Sequence, residues 1–185
     1  MEDNKLVIVR IVLGLVGIIL AYVAQSSIFV NLKLAGAIPD LLIIIVMMTA
    51  FVRGRGAGMF MGLFSGLLID FAIGNFIGMY AFIYLIAGYF AGYSNKIYNK
   101  ADNLLPLGTV LISELIINIY LYVCQFLLRG RAVFGYVFFK ISLPRVIYTL
   151  LVALIVYKPI ILLIDFLSRQ KSDEEDDEEI ILEKV

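Results

Sequence analysis

The chain has 185 residues, 62% of them hydrophobic, and fifteen Lys/Arg balance fifteen Asp/Glu. That apolar share, with a mean hydropathy of +0.99, exceeds the roughly 45–50% of soluble domains and places the chain in lipid. The absence of His and the single Cys124 exclude imidazole acid–base catalysis, the usual zinc ligand sets and an intrachain disulfide.

A bilayer core about 30 Å thick takes about 20 apolar residues as helix, because backbone polar groups cannot stay unpaired in hydrocarbon. Six windows meet this requirement, near 6–25, 36–52, 56–74, 77–94, 104–128 and 140–159. The first is longer than the roughly 7–15 apolar residues of a signal-peptide core, and Tyr22-Val23-Ala24 lacks the small residue wanted at position −3 of a cleavage site, so it reads as a retained first span. Windows two and three are short and are joined only by Arg53-Gly54-Arg55-Gly56. Asn4, Asn31 with Gly36, Asn95 and Asn103 mark polar turns. Arg129 to Lys140, rich in Phe and Tyr, suits an amphipathic stretch on the outer surface. Lys158-Pro159 ends the last window, and Ile160 to Leu167 continue along the interface.

Residues 1–171 thus form a polytopic membrane domain, and 172–185 form a disordered acidic tail, since the run Asp173 to Glu179 repels itself. Eight of the fifteen acidic residues lie between Asp173 and Glu183, leaving residues 1–172 with 14 basic against 7 acidic side chains. With both termini in the cytoplasm, nine basic residues of the membrane domain fall inside and five (Lys33, Arg129, Arg131, Lys140 and Arg145) outside, in the sense of the positive-inside rule. A five-span topology is the alternative. The tail either stays solvated, off the anionic membrane, or binds a basic cytoplasmic surface.

Within the third window Gly54, Gly58, Gly62 and Gly66 recur every four residues, and Asp70 and Gly74 continue the series. Four-residue spacing keeps one helix face, and a face without side chains admits a second helix closely. That second helix is either a neighbouring span or a partner protein. Asp40, Asp70 and Arg145, with Gln25 and Asn75, all fall near the outer ends of their windows. They form either a structural layer with an Asp–Arg145 pair or an outward polar pocket. Glu114 is the most deeply placed charge, with Asn118 one turn later on the same face. Structural bonding, a proton or ion path and partner contact are the readings open to it. Tyr80, Tyr84, Tyr89, Tyr93 and Tyr98 suit interfacial anchoring or helix packing. No nucleophile–base set, metal set, cofactor motif or nucleic-acid-binding pattern is present, so no residue is assigned as catalytic.

The front half resembles the MreD family of bacterial rod-shape-determining inner-membrane proteins. The resemblance rests on Gln25-Ser26-Ser27-Ile28-Phe29, on Pro39-Asp40-Leu41, and on Arg53-Gly54-Arg55-Gly56-Ala57-Gly58 leading into Gly62, Gly66 and Asp70. Gly74, Gly78 and Gly88-Tyr89 follow at fitting positions. It covers residues 20–95; beyond residue 104 only hydropathy agrees, and the acidic tail departs from the pattern. The resemblance implies an all-α membrane fold of about six helices, similar to the substrate-binding subunits of energy-coupling-factor transporters. It further implies a noncatalytic part of the cell-elongation machinery in the inner membrane. The implied partners are MreC and, through it, MreB and the peptidoglycan glycosyltransferase and transpeptidase. The rival implication is a vitamin-binding transporter subunit using the Gln25, Asp40, Asp70, Asn75 and Arg145 layer.

Overall fold

Apolar runs separated by Asn, Pro and Gly become helices here, and among the described residues there is no strand, only an isolated pairing of Leu34 with Ala37. The computed structural model describes residues 2–34, 36–73, 77–96, 104–125, 134–156 and 158–162. Asn75, Gly74, Asn103, Tyr98, Arg129, Arg131, residues 163–167 and the acidic tail lie outside them.

Helix α1 (Glu2–Ser27) ends where Asn31 Nδ2 bonds the Ser27 carbonyl at 3.1 Å. Leu34 and Ala37 then exchange backbone hydrogen bonds of 3.2 and 2.9 Å, with Gly36 at φ +82°. Asp40 caps the next helix by accepting from Ile43 N at 3.2 Å, which satisfies one of the donors a helix start leaves open.

Helix α2 (Leu41–Arg53) is apolar on every side, and nine of its residues from Leu42 to Phe51 are buried. A helix with no polar face belongs in the interior, and α2 forms the centre of the core against α1, α3, α4 and α5. It stops at Gly54, whose φ of +83° closes the turn while its N–H bonds the Ala50 carbonyl at 2.8 Å. Only glycine takes that conformation without strain.

Helix α3 (Arg55–Ile73) turns straight back, and α4 (Met79–Ala91) lies along it, extended by a 3₁₀ turn over Gly92–Lys96. Their packing is the most extensive in the molecule. Gly58, Gly62 and Gly66 face α4 with no Cβ between the backbones. A methyl on Gly58 would strike the Gly88 carbonyl, on Gly62 the Tyr84 carbonyl, and on Gly66 the backbone of Ala81. α4 and its 3₁₀ turn answer with Gly88 and Gly92, which sit as closely on Gly58 and on Arg55. Gly54 departs from the ladder expected of it: it is the α2 cap, outside α3, and its conformation rather than a close approach calls for glycine.

Helix α5 (Leu104–Gln125) buries Val110, Ile117 and Leu121 and leaves Ile112, Ile116 and Ile119 outward. Helix α6 (Gly135–Val156) begins earlier than its hydropathy window, so the aromatic stretch expected along the surface supplies its opening turns. Pro144 has no N–H and crowds the carbonyl four residues back. The helix answers with a π turn over Phe138–Ser142, in which Leu143 N–H bonds the Phe138 carbonyl. By length and apolarity, α3, α5 and α6 can each cross a membrane, while α1 and α2 contribute shorter apolar stretches, Ile11–Ser27 and Leu41–Arg53.

Candidate functional site

Arg145 enters the bundle from α6 one residue after Pro144, and a guanidinium in an apolar interior requires carboxylate partners. It finds two. Its Nη2 lies 2.6 Å from Asp40 Oδ2, and its Nε lies 3.0 Å from Glu114 Oε1. Both carboxylates are fully buried, while the arginine side chain keeps 23% of its surface exposed. The Nε approach is an ion contact without hydrogen-bond alignment, and Glu114 Oε2 has no hydrogen-bond partner among the described residues.

Other side chains fix these groups. The Tyr84 hydroxyl of α4 donates to Asp40 Oδ2, and Asp40 N–H donates to Thr149 Oγ at 3.0 Å. Gln25 of α1 accepts from Leu41 N at 2.9 Å. Asn118 Nδ2 donates to the Glu114 carbonyl at 2.8 Å and approaches its Oε1 at 3.4 Å. Five helices thus contribute to one polar node, α3 alone standing apart.

Of the polar layer read from sequence, Gln25, Asp40 and Arg145 meet here, and Asn75 is outside the described residues. Glu114, singled out separately for its depth, reaches the same arginine. Asp70 takes a different role. It crosses to the start of α4, where Oδ2 accepts from Gly78 N at 2.9 Å and Ala81 N at 3.0 Å, and Oδ1 from Tyr80 N at 3.0 Å. Of the two aspartates that could pair with Arg145, Asp40 does so, while Asp70 caps a neighbouring helix whose N-terminal N–H groups attract a carboxylate.

Tyr84 and Thr149 are members of the node that the sequence reading does not assign. Thr149 carries a local signal, a second polar residue four positions after Arg145 on an apolar helix. Tyr84 carries none beyond its place among other tyrosines. At the opposite end of the α3–α4 hairpin, Arg55 stacks its guanidinium 3.5 Å from the Tyr93 ring centroid and 5.8 Å from that of Tyr89. Asn95 donates to the Phe51 carbonyl at the end of α2.

Beside the node, a cavity of about 440 Å³ opens between α1, α3 and α6, with Gln25 and Arg145 in its wall. Among the described residues no group of three or more His, Cys, Asp or Glu side chains is placed to hold a metal ion.

The arrangement of helices, glycine seam and polar node coincides with a match to the family described as rod shape-determining protein MreD, over residues 5–167. The chain belongs to the MreD family. The match extends through α5 and α6, beyond the front-half motifs, so the node and the seam both lie inside the MreD region. No curated protein and no solved structure matches the chain significantly. Membership in the MreD family and the three long apolar helices make this a cell-shape-determining membrane protein.

Proposed function

We propose that this protein is a noncatalytic scaffold of the bacterial cell-elongation complex, spanning the inner membrane six times with both termini in the cytoplasm and binding MreC. Through MreC it acts with MreB and with the peptidoglycan glycosyltransferase and transpeptidase, setting cell shape through lateral wall synthesis. The observation that carries this reading is the MreD match over nearly the whole membrane domain.

Physical features support the finer parts. α2 is only 13 residues, about 20 Å of helix, but the chain from Ala37 to Pro39 ahead of it adds about 10 Å if extended. α4 with its 3₁₀ turn reaches about 30 Å. Both short helices therefore suffice to span when their flanking segments are included. Their ends are satisfied within protein by Asp40, Asp70 and Asn95 rather than left to lipid. The node's charges bond to one another and to helix backbones, which is the use of buried charge expected of a scaffold. Because α4 covers the glycine face of α3, a partner helix meets the apolar outer faces instead, among them those of α1, α5 and α6.

The test is affinity purification of the tagged full chain from its native membrane in mild detergent after brief crosslinking. Recovery of MreC with wall-synthesis enzymes is expected. Recovery of transporter ATPase subunits with a coupling protein, and no MreC, would overturn the scaffold reading.

A further inference from the structure

The wall of the 440 Å³ cavity divides into two kinds of surface. Ile69, Ala72 and Ile73 at the end of α3 are apolar, whereas Gln25, Lys140 and Arg145 on α1 and α6 are polar or cationic. Among the described residues no acidic one lines it: Asp40 and Glu114, which hold Arg145, are fully buried and outside the cavity wall. One of the guanidinium's five N–H groups, on Nη2, donates to Asp40, Nε lies beside Glu114 as an ion contact only, and the partly exposed remainder borders the cavity. Gln25 uses its carbonyl oxygen on Leu41 N, and among the described residues its amide N–H groups have no acceptor, so they are donors toward the cavity.

The π turn explains how two cations come to one wall. In an unbroken α-helix, residues five apart point about 140° away from each other. The extra residue held by the turn over Phe138–Ser142 brings such a pair close to one face, and Lys140 and Arg145 are five apart. Pro144 forces this irregularity from between them. Beyond the apolar wall the outer surface is apolar too, with Phe71 and Ile77 about 70% exposed.

We propose that this cavity binds the phosphate headgroup of an anionic lipid, with Lys140 and Arg145 on the phosphate, Gln25 donating to its oxygens, and the lipid tails leaving along Ala72 and Ile73. A guanidinium fork and an ammonium together suit phosphate oxygens, basic pockets between membrane helices recognise lipid headgroups, and the volume falls within the roughly 300–1,000 Å³ of small-ligand sites. An apolar wall that runs out to an exposed apolar surface favours a lipid over a soluble phosphate. The proposal depends on the cavity and not on the identity of any protein partner.

The experiment uses the purified full chain in a non-ionic detergent and follows the temperature at which it loses its monodisperse size-exclusion peak. Dioctanoyl phosphatidylglycerol, dioctanoylglycerol and inorganic phosphate are titrated separately. Phosphatidylglycerol is expected to raise that temperature saturably, as a ligand of the folded state does, and the other two are not. Lys140→Gln, at an exposed position, is expected to weaken the apparent affinity roughly tenfold, the scale of one charge-assisted contact. Ala72→Phe, which obstructs the apolar wall, is expected to abolish the effect. Lys33→Gln, exposed but outside the cavity, is expected to leave it unchanged. Equal protection by dioctanoylglycerol would overturn the phosphate contact, and equal protection by inorganic phosphate would overturn the lipid. An unprotected parent, or Lys140→Gln and Ala72→Phe both behaving as the parent does, would overturn the site.

Discussion

Along the α3–α4 seam, Gly58, Gly62 and Gly66 set backbone against backbone with no polar side chain between them. At the node, charged and hydroxyl side chains of α2, α4, α5 and α6 meet around Arg145. The seam gains close dispersion contact by omitting side chains, and it therefore fails when anything is added. The node depends on opposite charges in fixed directions, and it therefore fails when one of them is removed. α3 packs against α2 and α1 as well but sends no side chain to the node, the other helices meet at Arg145, and α4 takes part in both devices.

The largest effect is expected from breaking the node at its centre. Arg145→Leu leaves Asp40 and Glu114 buried together without a counter-charge, at a cost of about 3–5 kcal/mol. Thermal denaturation in detergent should show little folded protein, and adding Glu114→Gln should restore part of it. Gly62→Leu attacks the seam, where its side chain must displace the Tyr84 carbonyl. Overpacking of that kind costs about 1–3 kcal/mol, and the Glu114→Gln change should not relieve it. A rescue by that change would break the distinction between the two regions.

Smaller changes sharpen the comparison. Tyr84→Phe removes one hydrogen bond to a buried carboxylate, worth about 1.5–3 kcal/mol, and should lower the unfolding temperature while the fold by circular dichroism persists. Asp70→Asn keeps the volume but weakens the α4 cap by about 1 kcal/mol. Amide hydrogen exchange should then accelerate at Tyr80 and Ala81 and stay unchanged at Leu41. Gly17→Leu is the counterpart of Gly62→Leu on a face of α1 with nothing within 4 Å. It should alter stability by no more than about 0.5 kcal/mol, so an equal loss at both glycines would mean that helix propensity, not close approach, explains the seam.

Parts of this design were legible in one dimension. The four-residue repeat of Gly58, Gly62 and Gly66 announces a face made for close approach, because helical periodicity is a local property. It does not say which helix covers that face, and it wrongly enrols Gly54, whose role follows from a positive φ at a helix end. Polar residues in apolar windows announce that Asp40, Asp70, Glu114 and Arg145 must be satisfied somewhere. Their partners could not be read, since Asp40 and Arg145 are 105 residues apart, and the choice between two aspartates rests on how α3 and α4 sit.

By itself the sequence determined that this is a helical membrane protein, where its apolar segments lie, which helix face is bare and which residues carry a charge into that environment. These follow from composition and from the period of the helix, both local along the chain. Only the tertiary structure decided that α4 fills the bare face, that Asp40 and Glu114 share Arg145 while Asp70 caps α4, and that the π turn before Pro144 brings Lys140 and Arg145 to one cavity. Those outcomes depend on distances between helices remote in sequence, and in lipid such distances are set by packing and by the need to pair every buried charge.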